Sequence, residues 1–373
     1  MARVNVIYHH YPHYRRPVME ALACSGAHDY RFWGSLDDVA GIKTFRGDAR
    51  IPVRPLRFRL RGPFWLLGGY WPAVLDRSAD ALIVHGHPNM PASWLIGLAG
   101  RLTGKPVLYW AHGWLKRESR WKAFLRRLHY RLGQRVLTYG LRAHQLASAS
   151  GFPVERIVPV WNSLDWPAAR DVLHRLETEG VAAVRRRLGL PPAAFVVQCS
   201  ARLMPACRFD LLLEAAGLLK GRGVETHVVL IGEGPQRAAL EAQAEELGVK
   251  ILFPGAIYEE AVLGAWIFAS DVTASPGKIG LSAIHSLMYG TPVVTHGDMD
   301  RQMPEAEAII PGETGSFFPP GDAAALAEAL LAWRDKKSAA LRARCREAIE
   351  TRYNPQAQAT IIDAVVSEVC HAR

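Results

Sequence analysis

Two groups of residues have types and spacings suited to holding a polar ligand. The first lies in residues 274–296, Ala-Ser-Pro-Gly-Lys-Ile-Gly-Leu-Ser-Ala-Ile-His-Ser-Leu-Met-Tyr-Gly-Thr-Pro-Val-Val-Thr-His. Pro276 and Gly277 punctuate the end of a short apolar run. Leu281, Ile284 and Leu287/Met288 then recur at helical spacing, Gly290 stops the helix, and residues 292–295 resume as a buried strand. A glycine turn feeding a helix N-terminus leaves N–H groups free along the helix dipole, which is a place for a phosphate. An ordinary loop–helix–strand unit fits the same spacing. The second group is His9-His10-Tyr-Pro-His13-Tyr-Arg15-Arg16-Pro17, directly after the first apolar run. Pro12 interrupts it and no carboxylate joins it, so cationic and hydrogen-bonding contacts to a substrate suit it better than a metal. Two further apolar runs end in His85-Gly86 and His112-Gly113. Ligands of open α/β sheets bind beyond the carboxyl ends of the strands, which makes both histidines site candidates.

The first stretch resembles the donor-binding segment of retaining GT-B glycosyltransferases, the group that includes sucrose synthase, glycogen synthase and many bacterial polysaccharide transferases. Their pattern is Glu-Gly-Phe-Gly-Leu, a second Glu eight residues after the first, then Ala-Met-Ala-x-Gly-x-Pro-Val. Gly280, Leu281, Met288, Gly290, Pro292 and Val293 match, whereas the two glutamates fall on Gly277 and His285. Upstream, residues 200–214 are similar to Gly-Arg-Leu-x-x-x-Lys-x-x-Asp, with Arg202 and Asp210 matching, Cys207 at the lysine position and Arg208 beside it. Met303-Pro-Glu-Ala, Gly312-Glu-Thr-Gly315 and Pro320-Gly-Asp322 resemble the closing signatures.

The resemblance implies roles for these residues. Arg202 and Arg208 would hold the donor diphosphate, with His112 beside the donor sugar. Gly277, Lys278, Gly280, Leu281, Ser282 and His285 would line the donor, His285 facing the ribose, and Gly255 and Ile257 would cradle the base. His10, His13, Arg15, Arg16 and His85 are left for the acceptor. Asp298-Met-Asp300 invites a metal reading, but in a GT-B setting cations and backbone dipoles meet the diphosphate charge. No cofactor or metal is therefore expected.

The elements that must position these residues are those of an α/β protein. At 373 residues, half apolar and about a fifth charged, the chain is globular and long enough for two domains. No apolar run reaches the roughly 18 residues that a membrane span requires. The N-terminus lacks the layout of a signal peptide, and five scattered cysteines lack metal spacing, so a reducing cytoplasm is expected. Strands at 4–8, 81–85 and 106–110, with a helix from about 91 to 102, alternate as in a doubly wound sheet. A fresh strand opens at Phe195 after Pro191-Pro192. The expected architecture is GT-B, two Rossmann-like doubly wound domains facing across a cleft. The domains are residues 1–165 with a C-terminal helix at about 355–373 packing back, a helical connector at 166–192, and a nucleotide-sugar domain at 193–354.

Charge is uneven. Residues 1–180 hold 26 Lys/Arg against 13 Asp/Glu, within a chain of net charge +10. Residues 46–61 carry six arginines followed by Phe64-Trp65-Leu66-Leu67, and residues 116–135 carry eight basic residues against Glu118. In the latter, Trp121, Phe124/Leu125, Leu128 and Leu132 make one apolar stripe at helical spacing. Packing of that stripe on a sheet and contact of its basic face with anionic lipid are both open. The expectation is a glycosyltransferase moving a sugar from a nucleotide sugar to a lipid-linked saccharide acceptor, with retention, in cell-surface polysaccharide synthesis. It would be cytoplasmic, peripheral on an anionic membrane, with no nucleic acid as partner. A sugar-nucleotide epimerase or phosphorylase of the same fold, and a basic nucleic-acid-binding protein, are the alternatives.

Overall fold

The computed structural model describes residues 1–371. The chain divides into two compact units, one formed by Met1–Leu164 with the chain from Tyr353 onward, the other by Asp165–Arg352.

The first unit is built on seven strands: β1 (Arg3–His10), β2 (Asp29–Ser35), β3 (Val53–Pro55), then, beyond a hairpin of β4 (Arg57–Arg61) and β5 (Phe64–Gly68), β6 (Ala81–His85), β7 (Val107–Trp110), β8 (Arg135–Thr138) and β9 (Ile157–Pro159). Their order is β3-β2-β1-β6-β7-β8-β9, and every neighbouring pair in this sheet is parallel. Strands covered on both faces need apolar side chains pointing both ways. Val4, Val6 and Tyr8 enter one core, Ile7, Leu82 and Val84 the other. The chain winds outward from β1 to β2 and then crosses to β6, so the switch point lies between β1 and β6. The last helix, Pro355–His371, packs on helix Arg16–Cys24.

The second unit holds β10 (Phe195–Ser200), β11 (Thr226–Ile231), β12 (Lys250–Leu252), β13 (Val272–Ser275), β14 (Val293–His296) and β15 (Gly315–Phe318), in the order β12-β11-β10-β13-β14-β15 and all parallel. Its switch point lies between β10 and β13. Caps fix several helix starts. Asp165 Oδ1 accepts from Ala168 N at 3.2 Å, and Asp322 Oδ1 from Ala325 N at 2.8 Å. Residues 166–192 differ from the expected connector: helices Trp166–Glu179 and Val181–Arg187 belong to the second unit. The buried Arg185 explains this, since its guanidinium bonds Asp271, just before β13, at 2.8 Å and the carbonyls of Ala194 and Ala269.

Most of the apolar stripe at 116–135 turns to solvent, and only its far end, Leu132, packs against the core beside the sheet. In helix Arg120–Arg131 the buried residues are His129 and Tyr130, while Trp121 is 66% exposed and Phe124 and Leu128 are each 45% exposed. Among the described residues no helix is long and apolar enough to cross a membrane.

Candidate functional site

In the second unit the polar candidates gather at the carboxyl ends of β10 and β13. Arg202 follows β10 by two residues and its side chain is exposed. The loop after β13 folds down onto the loop after β10, and Gly277 N donates to Cys207 O at 2.9 Å. This contact explains the glycine, because a Cβ at 277 would lie 2.1 Å from Ala206 O and 2.7 Å from Cys207 C. Gly280 then caps helix Leu281–Met288, whose first turn contains no acid, so Leu281, Ser282 and the residues around them present backbone N–H groups. Lys278 is exposed beside them.

A buried polar chain holds this turn. Gln302 Oε1 accepts from Ile279 N at 2.8 Å, and Gln302 Nε2 donates to Thr295 Oγ1 at 2.9 Å and to His296 O at 3.0 Å. Beneath it, Gln198 Nε2 donates to Thr273 Oγ1 at 2.6 Å and Thr273 Oγ1 to Ser286 Oγ at 2.7 Å, tying β10, β13 and the helix together. Sequence reading singled out neither glutamine, because amides carry no motif until the strands are placed.

Three expectations change in detail. Arg208, in a left-handed conformation at φ 53°, closes one edge of its guanidinium, Nε and Nη2, on Asp210, 3.0 and 2.9 Å away, so its charge is already matched. His285 does not present Nε2 to a ligand; that nitrogen lies 2.9 Å from Glu260 Oε1. Gly255 and Ile257 sit beyond β12 at the far edge of the sheet; Gly255 has φ 82° and a Cβ there would meet Glu233 Oε1 at 3.3 Å.

In the first unit, His10 and His85 converge at the switch point, joined by His9, which the sequence placed in the same polar group but not among the acceptor residues. Strand β1 runs to His10 instead of ending near Tyr8, with its pairing to β2 shifting between Ile7 and His10. The His9 ring centroid lies 4.4 Å from His10, 4.5 Å from His85 and 4.6 Å from Trp65 of β5. Trp65 in turn stacks within 7° of parallel on His87 at 4.3 Å. These rings are buried or half-buried, and among the described residues His9 Nδ1, both nitrogens of His10, His85 Nδ1 and Trp110 Nε1 have no hydrogen-bond partner. Burial and then the neighbouring His10 hold His9 well below the usual histidine range; burial and His9 do the same for His85. Burial and the Arg15 cation push His10 down to about 4. Among the described residues no group of three His, Cys, Asp or Glu is arranged to hold a metal, and Asp298 instead bonds Asp300 N and Arg301.

Arg15 stands over three rings, with its guanidinium carbon 4.8 Å from the Tyr8 centroid, 4.7 Å from Trp110 and 5.2 Å from Tyr139, and it donates to the Tyr139 hydroxyl. Cation–π contact fixes the charge without an acid to neutralise it. His112 packs edge-on to the same Tyr139 at 4.9 Å. Arg16 and His13 do not join this cluster: Arg16 pairs with Asp48 at 3.2 Å, and His13 is exposed at the start of the 3-10 turn His13–Arg15, its backbone N–H donating to Lys43 O. Pro17 lies in the first turn of helix Arg16–Cys24.

Residues 182–352 match the family model of glycosyl transferases group 1. The matched residues lie within the second unit. A GDP-mannose-dependent alpha-(1-6)-phosphatidylinositol dimannoside mannosyltransferase of Mycobacterium tuberculosis is 35% identical over 116 residues, covering 30% of each chain. A 2-deoxystreptamine glucosyltransferase of Streptomyces kanamyceticus is 25% identical over 274 residues, 66% of this chain and 69% of that one. The chain thus spans less than a third of the mannosyltransferase it matches. Similarity of fold extends further: Anabaena HepE, solved with UDP, superposes with a TM-score of 0.74 over 99% of this chain and all of its own, at 17% identity. Sucrose-phosphate synthase of Thermosynechococcus elongatus superposes at 0.72 over the whole of both chains, also at 17%. The fold is therefore GT-B, α/β with two Rossmann-like units.

Proposed function

We propose that the chain is a glycosyltransferase that takes a sugar from a nucleoside-diphosphate donor held by the second unit. The observation that carries this reading is the Gly277–Gly280 turn, closed against Cys207 O at the start of an acid-free helix end, at the switch point of a group 1 domain. Such a turn meets a diphosphate with backbone N–H groups, and Arg202 adds a cation for the charge that develops on the leaving group. No metal is needed for this step. The acceptor is a saccharide, lipid-linked, received by the first unit at the histidine cluster and Arg15. Transfer proceeds with retention, in cell-surface polysaccharide assembly on the cytoplasmic face of a membrane.

The test is a panel of nucleoside diphosphates in thermal unfolding, then turnover of the corresponding nucleotide sugars with products weighed by mass spectrometry. At least one nucleoside diphosphate is expected to raise the melting temperature, and its sugar conjugate to be transferred. If none protects and none turns over, the reading fails. The anomeric configuration of the product, by NMR, decides retention.

A further inference from the structure

A second place in the first unit has the composition of an anion site, away from the histidine cluster. A cavity of about 690 Å³ lies between the loop after β7, helix Arg120–Arg131 and helix Arg142–Ala149. Lys116, Arg117, Arg120 and Arg127 line it. Its one acid, Glu118, is already matched: both carboxylate oxygens accept from Arg126, at 2.6 and 2.8 Å. The four cations therefore face the cavity with no acid left to neutralise them.

The hydrogen-bonding groups tell the same story. Trp114 lines the cavity and is 2% exposed, yet among the described residues its indole N–H has no acceptor. Arg127 donates through Nη1 to Ser150 O at 2.7 Å, but its buried Nε–H has none. An indole and a guanidinium can only donate, so what completes them must be an acceptor. Ser119 does not cap the helix with its side chain, and the first turn holds no acid, so the helix N–H groups add to the same field.

The rim identifies the source of that acceptor. Phe124 borders the cavity and stacks on Trp121 at 5.6 Å, and with Leu128 these side chains stand out in solvent on the same helix. A soluble phosphate ester has no use for an apolar rim. A lipid headgroup does, because its phosphate and its acyl boundary lie side by side at the membrane surface.

We propose that this cavity seats the phosphate of an anionic phospholipid, with Trp121, Phe124 and Leu128 entering the acyl boundary beside it. The proposal deepens the membrane part of the reading above, and it stands on residues that take no part in donor binding.

The test is cosedimentation of the full chain with phosphatidylcholine vesicles, with and without phosphatidylglycerol. The wild type is expected to bind the phosphatidylglycerol vesicles preferentially. Arg117→Gln with Arg120→Gln should weaken that binding roughly thirtyfold, at the usual worth of two basic residues near an anionic surface. Arg117→Lys with Arg120→Lys should keep most of it. A charge-matched control, Arg186→Gln with Arg334→Gln on the second unit, should change it less than about threefold. Trp121→Ser should weaken binding to both vesicle types. An equal loss in the control pair would overturn the proposal in favour of net charge alone. Binding of glycerol phosphate or a single-stranded oligonucleotide that depends on Arg117 and Arg120, with no vesicle preference, would overturn it in favour of a soluble anion or nucleic acid. Protection by nucleoside diphosphates, measured on the same variants, keeps the two readings separate: its absence sinks the donor reading while leaving the vesicle result standing.

Discussion

His285 Nε2 lies 2.9 Å from Glu260 Oε1, and the Tyr289 hydroxyl donates to the same oxygen at 2.6 Å. Where the family pattern has a glutamate at 285, this chain places a carboxylate beside the position from the neighbouring helix, Glu260–Ala269. Burial pushes the Glu260 carboxyl up, but the hydrogen bonds and charge of His285 and the bond from Tyr289 outweigh it, leaving it below the usual carboxylate range. A depressed carboxyl contributes stability that is complete above its unfolded value, near 4.3, and is lost as pH falls through the lower folded one. Glu260→Gln is expected to lower stability by about 1–3 kcal/mol near neutral pH. The gap to wild type should close below about pH 4, as read by thermal unfolding across pH. A gap independent of pH would mean that charge has no part in the contact.

This pair also marks the limit of what the sequence could tell. The strands at 4–8, 81–85 and 106–110 were legible because buried parallel strands tend to be continuous apolar runs, and the turn at 276–280 because glycine and proline punctuate it; β2, interrupted by Arg31, was not. Glu260 was not, since its partner is 25 residues away and only the packing of two helices brings them together. The contact of His9 with Trp65 was not legible for a similar reason, although both residues stand in stretches that the sequence singled out. Trp65 belongs to a hairpin of exposed arginines, β4 paired antiparallel with β5, and that stretch reads as a basic, proline-broken loop. The exposed stripe on helix Arg120–Arg131 shows the converse. Helical spacing says that its apolar residues share a face, but not whether that face turns to the sheet or to solvent.

Gly277→Ala tests the turn. Its methyl would lie 2.1 Å from a backbone oxygen, so no side chain can yield and the two loops must part. A loss of about 1–3 kcal/mol in stability is expected. Protection by nucleoside diphosphate should fall much further than that of a control such as Gly221→Ala, where nothing lies within 4 Å. Retained protection would remove the turn from the donor site.

Gln302→Leu tests the support behind it. The substitution leaves Ile279 N without its side-chain acceptor and removes donors to Thr295 Oγ1 and His296 O, all buried. About 1–3 kcal/mol of stability should be lost. The donor Michaelis constant should rise with little change in kcat, as expected of a positioning residue. If kinetics are untouched, Gln302 serves the fold alone.

The histidine cluster sets a pH dependence of opposite origin. His10 and His87 are each pushed down to about 4, mainly by burial, and His9 and His85 lie well below the usual range. Between the unfolded value near 6.5 and these folded values, the unfolded chain binds more protons, so stability rises with pH. Denaturation followed by tryptophan fluorescence should therefore show stability falling from about pH 6.5 towards 4 and flat above. His10→Asn should reduce the slope by up to about 1.4 kcal/mol per pH unit. An unchanged slope would mean that His10 is charged in the folded protein.

Arg202 and Arg208 were expected to act together on the donor diphosphate, and the structure separates them. Arg208 is closed on Asp210, whereas Arg202 is exposed beyond β10 and makes no side-chain ion pair among the described residues. A cation whose field is already matched adds little to a developing negative charge, while an unmatched one at the strand end adds its full share. Arg202→Ala is expected to lower turnover of the nucleotide sugar on the order of a hundredfold. Arg208→Ala should lower it by no more than about fivefold, the scale of an exposed ion pair. Asp210→Asn makes the argument reversible, because it frees Arg208. In the Arg202→Ala background it should recover part of the lost turnover if Arg208 can then reach the diphosphate. Equal losses from the two single alanine variants would show that Asp210 does not hold Arg208 out of the reaction.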